Sequence, residues 1–401
     1  MKIAGILTIG NEILQGYTVD LNANSISKKL IKRNIKTTIH LTVPDEIPKI
    51  KEKVEKFIIK GYDYIFITGG LGPTHDDVTK LALSELFNSK FKFLKDRHIK
   101  ISKKFNKASL PECQSEILDL AKPLENSIGT ALGMYFKYNN TELVILPGIP
   151  IEMNAMLKLY LNKEKALKII DNNIITINTA GIYETKLSDM MQEFIKKYDQ
   201  YVSVSFLPSY EGVKIRLTDL GTGFNIDLIK DELLDFLQNY AYGKDKETLE
   251  VAVSNILKKN RLKLSLAESC TGGYIAKRIT DIPGSSEFFL GGIVAYDNYV
   301  KQNILGVPLD DINRFGAVSI QISESMAINI LKKFNSDISI ACTGISGPDG
   351  GTDEKPVGTV CISVKYLDKL VSKKFIFRVD RKSHRLMTKQ ASLYMLWSLI
   401  K

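Results

Sequence analysis

Histidine, tryptophan and cysteine are all scarce in this chain of 401 residues, at four, one and four. The cysteines (Cys113, Cys270, Cys342, Cys361) are scattered, with no CxxC pair and no disulfide-like spacing, so reduced thiols are expected. No apolar run reaches the length of a bilayer span, and Met1 leads straight into IAGILTIG with no basic leader and no cleavage site. A cytoplasmic location without membrane attachment is the expectation. Internal repeats and low-complexity tracts are also missing. What remains is a hydrophobic fraction of 44%, which suits a globular chain with two or three domains, each large enough for its own core. The formal net charge of +10 would suit nucleic acid. The lysines, however, are spread over amphipathic helices, and no basic stretch interleaved with aromatics occurs, so nucleic acid is not an expected partner.

The chemistry is easiest to see from Leu264 to Lys301. Leu262 to Ala267 reads as a short buried strand, and Tyr274 to Thr280 as a helix after a tight Gly272-Gly273 start. Glu268, Ser269, Cys270 and Thr271 then occupy the strand-to-helix turn, with the positive end of the helix dipole behind them. A second glycine-rich turn, Pro283 to Ser286, precedes the strand-like Ile293 to Tyr296 and then Lys301. A serine nucleophile needs a base and donors for an oxyanion. This stretch has no histidine, so Lys301 and Tyr296 are the available proton carriers and a Ser–Lys arrangement is suggested. Spacing alone equally allows Ser269 or Thr271 to cap a helix and Lys301 to be a solvated lysine. Cys270, also at a helix start, is a rival nucleophile.

At the other end of the chain, strands at Lys2 to Ile9, Thr37 to Val43 and Tyr64 to Thr68 alternate with helices at Asn22 to Arg33, Ile47 to Ile59 and Val78 to Phe87. That alternation implies a parallel sheet, whose ligands gather at the carboxyl ends of its strands. Glu12 and the Gly69 to Asp77 loop fall there. Gly69, Gly70 and Gly72 let backbone amides approach a phosphate, while Glu12, Asp76 and Asp77 would repel one unless a divalent metal lay between. His75 is a possible general base, and either aspartate alone could be a helix cap. Lys90 to Leu120 reads as helical cover. Asp171 to Gly243 reads as a small β-α-β-β-α unit without the GxxG loop by which a KH domain grips nucleic acid.

Several motifs carry a family resemblance. AESCTGG, PGSSEFFLGGIVAY, YVKQNILGV, GAVS (Gly316 to Ser319), TGISGPDGG (Thr343 to Gly351) and KPVGTV (Lys355 to Val360) stand in one order and resemble the C-terminal domain of the CinA family. TIGNEILQG, DLNA (Asp20 to Ala23), TGGLGPTHDDVT, NSIGTALG (Asn126 to Gly133) and LPGIPIEM (Leu146 to Met153) resemble its N-terminal domain. The resemblance implies an α/β chain in three parts. These are a molybdopterin-binding-like three-layer α/β/α domain (1–170), a small α+β KH-like connecting domain (171–246) and an α/β C-terminal domain (247–401). It implies hydrolysis of the carboxamide of nicotinamide mononucleotide (NMN) to nicotinate mononucleotide and ammonia, with Ser269 as nucleophile, Lys301 as base and Tyr296 relaying or orienting the proton. No cofactor is expected in that domain. Cys270, Thr271, Gly272, Ser285, Ser286, Thr343, Gly344, Arg381 and Arg385 would line the substrate.

For the first domain the resemblance implies hydrolysis of ADP-ribose. Gly10, Asn22, Gly69, Gly70, Gly72, Thr74, Gly129, Pro147 and Gly148 would contact the substrate. Glu12, Asp76 and Asp77 would hold a divalent metal (Mg, Mn or Co). Both activities would serve pyridine-nucleotide salvage, and a homodimer is expected. Ser346 departs from an alanine common in the family, and Tyr183 is bulky for its turn. A molybdopterin-binding or molybdopterin-processing protein, and a non-catalytic accessory factor in competence or DNA damage response, are the competing readings.

Overall fold

The structure, a computed structural model, describes residues 1–105, 110–163 and 174–401. The chain forms two compact units, Met1–Asp171 and Asn172–Lys401, and the expected boundary at 170/171 lies outside the described residues. Both units mix helices with sheets, and each has a sheet whose central strands run parallel. Among the described residues no helix is long and apolar enough to cross a membrane.

In the first unit six strands run in the order Ile35–Val43, Lys2–Ile9, Tyr64–Thr68, Thr141–Leu146, Gly133–Tyr138, Lys122–Leu124. The first four are parallel and the last two antiparallel. Tyr64–Thr68 is buried on both faces, which is why it reads as an unbroken apolar run rather than an alternation. One face packs on the Ile47–Ile59 and Thr79–Phe87 helices around Leu7, Ile65 and Ile67. The other packs on Leu21–Ile31 and Pro150–Lys163 around Ile6, Phe66 and Met156. Three layers result.

The expected helical cover between Lys90 and Leu120 is only partly helical. Lys95–Lys104 is a helix, but Phe91–Phe93 pairs antiparallel with Glu116–Leu118, and residues 106–109 lie outside the described residues. The aromatic, alternating Phe91-Lys92-Phe93 favours a strand where lysine richness suggests a helix.

The second unit contains two sheets. Val202–Ser209, Gly212–Asp219, Ile174–Thr179 and Ala241–Lys244 form an antiparallel sheet under the helices Glu184–Tyr198 and Ile226–Phe236. The Ala241–Lys244 edge strand extends the expected β-α-β-β-α unit. The second sheet runs Phe289–Val294, Leu264–Glu268, Ile338–Gly344, Thr359–Tyr366, Lys369–Ile376. Its first three strands are parallel and its last two antiparallel. Leu249–Lys259 and Arg381–Ile400 cover one face of this sheet, and Ile320–Phe334 covers the other. Thr248 caps the first of these helices by accepting from Val251 N–H at 3.4 Å.

Candidate functional sites

Three parallel strands of the second unit deliver their carboxyl ends to one place. Ser269 follows Leu264–Glu268, Ala295 and Tyr296 follow Phe289–Val294, and Thr343 and Gly344 end Ile338–Gly344. The register Glu268↔Cys342 and Glu268↔Val294 sets these ends side by side. Gly272 and Gly273 both have positive φ (57° and 85°), a pair of left-handed residues that turns the chain sharply into the Tyr274–Thr280 helix. Ser269 is 7% exposed, its N–H donates to Cys342 O (3.0 Å), and its hydroxyl enters no hydrogen bond among the described residues.

Lys301 sits in a single π-helical turn, Val300–Ile304, and is 2% exposed. Its Nζ donates to the backbone oxygen of Tyr296 at 3.1 Å, and it forms no ion pair among the described residues. Burial pushes its pKa down from the ordinary lysine range, against a smaller opposing pull from Asp297 and Cys270. A lysine that loses its proton more easily than usual, beside a serine turn, is equipped to act as a base.

Several expected contributors have other roles. The Tyr296 hydroxyl accepts from Arg381 Nη2 (2.7 Å), so Tyr296 orients Lys301 through its carbonyl and not its phenol. Arg381 also donates to Gly347 O at 2.9 Å, tying the Thr343–Gly351 loop to Tyr296. Arg385 places Nε and Nη2 on Thr271 O (3.0 and 2.6 Å), so this fork clamps the nucleophile turn rather than standing free for a phosphate. The Thr343 hydroxyl donates to Ala317 O (2.7 Å) and holds the GAVS segment.

Ser285 and Ser286 are misplaced by the sequence reading. Their turn enters the sheet at the start of the neighbouring strand, where Leu264 N–H meets Phe288 O at 2.7 Å. Ser269 lies five residues further on, roughly 16 Å at ~3.3 Å per residue. Parallel pairing puts the entry of one strand beside the entry of the other, so Ser285 and Ser286 belong to the opposite end of the sheet.

Cys270 is buried in the core. A hydrogen bond with the Cys342 thiol and its burial hold its pKa well above the usual thiol range, which disfavours a thiolate nucleophile. Thr271 is fully buried, its hydroxyl 3.1 Å from Cys342 Sγ. Gly272 N–H donates to Ser269 O (3.0 Å), and the first helix amides, Ile275 and Ala276, donate to the Glu268 carboxylate (3.0 and 2.8 Å). Those donors are therefore not free for an oxyanion. The Thr271 and Gly273 amides enter no hydrogen bond among the described residues. Sequence reasoning missed Glu268, although a carboxylate ending a strand seven residues before a helix amide is a capping signal.

The first unit has its own cleft, of about 580 Å³, at the carboxyl ends of its strands. Gly10, Glu12, Gly69, Gly70, Gly72, Asp76, Asp77, Pro147 and Gly148 line it, as do Asp45 and Glu152, which were not singled out. Asp77 is not free. Its carboxylate accepts from Gly72 N–H (2.7 Å), Thr74 N–H (2.9 Å) and the Thr74 hydroxyl (2.5 Å), and so it shapes the loop. A Cβ at Gly72 would lie 2.4 Å from Asp77 Oδ2 and one at Gly129 2.3 Å from the Glu152 carboxylate, so a side chain at either position would displace the acid it faces. Asn22 is a strut behind the cleft, donating to Thr68 Oγ1 (3.0 Å) and Gly148 O (2.7 Å).

The expected trio Glu12, Asp76 and Asp77 does not form a preassembled three-ligand group among the described residues. Five carboxylates nevertheless line this cleft without a lysine or arginine among its lining residues. An all-oxygen, anionic lining of that kind suits a hard divalent cation. Asp45 accepts from Asn11 N–H (2.9 Å), Glu152 from Asn126 Nδ2 (2.5 Å) and Asp76 from Thr74, each through part of its carboxylate, while the Glu12 carboxylate enters no hydrogen bond among the described residues.

Comparison with known proteins agrees with this two-part organisation. A family model described as "CinA C-terminal domain" matches residues 246–400, and one described as "Probable molybdopterin binding domain" matches residues 5–167. A CinA-like protein of Cytophaga hutchinsonii is 35% identical, covering 97% of this chain and 96% of its own. Another, from Thermosipho melanesiensis, is 37% identical, covering 95% of each. Among solved structures, the competence/damage inducible protein CihA of Agrobacterium tumefaciens is 37% identical over 38% of this chain and 94% of its own, with a TM-score of 0.38. On the strength of these near full-length matches, the chain belongs to the family of CinA-like proteins, with a molybdopterin-binding-like domain ahead of a CinA C-terminal domain.

Proposed function

We propose that the C-terminal domain is a serine amidase that converts NMN to nicotinate mononucleotide and ammonia. The observation that carries this reading is Lys301, a buried lysine with a depressed pKa and no ion pair among the described residues, held by Tyr296 O and near enough to Cys270, the neighbour of Ser269, to interact with it electrostatically. In the first half-reaction Ser269 Oγ attacks the carboxamide carbon while neutral Lys301 takes its proton. The tetrahedral oxyanion accepts from the Thr271 and Gly273 amides, donors of a kind worth about 3–4 kcal/mol. The C–N bond then breaks, and Lys301 returns the proton to the departing ammonia. In the second half-reaction water, deprotonated by Lys301, attacks the ester, and Ser269 leaves with the proton. Arg385 keeps the turn in shape, and Arg381 and Tyr296 close the side on which a ribose phosphate would lie.

For the first unit we propose hydrolysis of ADP-ribose to AMP and ribose 5-phosphate with a divalent metal (Mg, Mn or Co). Gly69 and Gly70 present the backbone to the pyrophosphate, Asp77 fixes their loop, and Glu12, Asp45, Asp76 and Glu152 would hold the cation. Such a cation, when bound, offsets the pyrophosphate charge and lowers the pKa of attacking water. A homodimer and a role in pyridine-nucleotide salvage complete the proposal.

The test is ammonia release from NMN in EDTA by the wild type and by Ser269→Ala and Cys270→Ala. Activity that survives EDTA and Cys270→Ala but is lost in Ser269→Ala is expected. Folded wild-type protein that releases no ammonia would end the amidase reading. AMP release from ADP-ribose, abolished by EDTA and restored by Mg, Mn or Co, tests the first unit, and sedimentation velocity tests the dimer.

A further inference from the structure

A second cavity, of about 480 Å³, lies within the second unit between the connecting sheet and the Arg381–Ile400 helix, and nothing in the proposed reactions uses it. Its walls are flat and apolar. Phe375 and Phe377 stand stacked (centroids 5.4 Å apart, planes 20° apart), with Tyr394, Met387 and Met395 beside them. Gly181 makes room for the Tyr394 ring: at φ 75° its backbone favours glycine, and a Cβ there would lie 2.0 Å from that ring. Two more tyrosines flank the cavity unburied, Tyr183 at 78% exposure and Tyr210 at 50%. Tyr183 is the bulky residue of the turn at Gly181 to Glu184.

Charge narrows the occupant. On the cavity wall the half-exposed Glu211 carboxylate is paired at 2.7 Å with the buried Lys389 ammonium, which it shares with Glu250 at 3.0 Å. At the exposed edge, Lys373 and Glu184 line the cavity and neither is paired among the described residues. A cavity of this size falls within the range of small-molecule sites, about 300–1,000 Å³, in which a few polar groups orient a ligand held by apolar walls.

We propose that this cavity binds a planar aromatic ring of nucleobase size bearing an anionic group. The ring stacks among Tyr183, Tyr210 and the Phe375–Phe377 pair, the anion meets Lys373, and Glu184 accepts from ring N–H groups. An aliphatic chain would gain the apolar contact but neither the stacking nor the oriented hydrogen bond.

Trp397, the chain's single tryptophan, stacks 6.0 Å from Tyr394 and serves as the reporter. The full chain is titrated with AMP, adenosine and octanoate while Trp397 fluorescence is followed. A saturable response to AMP is expected, weaker for adenosine and absent for octanoate. Tyr183→Ala combined with Tyr210→Ala should raise the AMP Kd about tenfold or more, the scale of losing a stacked ring. Both positions are exposed, so the melting temperature should hold. Lys373→Ala should erase the preference for AMP over adenosine, and Ser269→Ala, although it removes the proposed nucleophile, should leave the AMP Kd unchanged, separating this cavity from the proposed amidase site. Octanoate binding as tightly as AMP, no response to AMP, or an AMP response untouched by these tyrosine and lysine substitutions would each overturn the proposal. The outcome does not depend on whether NMN is a substrate.

Discussion

Replacing Lys301 with methionine separates chemistry from folding. Methionine keeps most of the side-chain volume and removes the ammonium from a site that is 2% exposed, where its only hydrogen-bond acceptor among the described residues is Tyr296 O. Because burial lowers the folded-state pKa, the unfolded chain binds this proton more strongly than the folded one does. Between the folded value and the ordinary 10.5, folding therefore releases a proton and stability rises with pH. Below that window a buried charge is carried at a cost. Lys301→Met should therefore melt no lower than wild type at pH 7, and it should lose this component of the rise in stability toward alkaline pH. Activity should respond oppositely. Loss of a general base typically costs a factor of about 10²–10⁴, or roughly 3–5 kcal/mol at ~1.4 kcal/mol per decade. Wild-type kcat should also climb with pH through an apparent pKa below the ordinary lysine value. Thermal melts at pH 7 and 9.5 together with ammonia release from NMN provide both readouts. A Lys301→Met protein that keeps more than a tenth of wild-type kcat, or that melts well below wild type at pH 7, would refute the reasoning, since the lysine would then be a structural cation.

Three other substitutions follow from the same geometry. Cys270→Ser should retain kcat within about threefold, since a thiol whose pKa is raised by Cys342 and by burial contributes no thiolate. Asp77→Asn should destabilise the first unit by about 1–3 kcal/mol in urea unfolding, because an amide cannot accept all three bonds from Gly72 and Thr74. Glu250→Gln should cost about 1–3 kcal/mol at pH 7, because Arg278 loses its carboxylate and Lys389 keeps only Glu211 as an acid. Burial opposes ionisation of Glu250, yet Lys389 and Arg278 hold its pKa below the usual value, so its contribution is present above the ordinary carboxylate pKa and fades as pH falls through the lowered one. The variant's acid unfolding limb should be correspondingly shallower.

The parallel strands were legible in the chain because a strand buried on both faces is a continuous apolar run, as in Tyr64–Thr68 and Leu264–Glu268. The turn bearing Ser269 was legible because two adjacent glycines stand before a helix. Ser285 and Ser286 were misread because nearness in sequence says nothing about which end of a parallel sheet a connecting turn occupies. The part played by Glu268 was not legible, since its carboxylate reaches the Ile275 and Ala276 amides only once the turn has folded.

Composition, alternation and motif order thus settled the fold class and the placing of the first unit's glycine-rich loop at the carboxyl ends of its strands, since these depend on local periodicity and residue type. Only the tertiary structure decided what each side chain is free to do. Lys301 is buried by a π-helical turn, the Tyr296 phenol goes to Arg381, Arg385 grips Thr271 O, and Asp77 is held by its own loop. Each outcome is a competition among hydrogen-bond partners brought together from distant segments, and that competition is resolved only when the chain has folded.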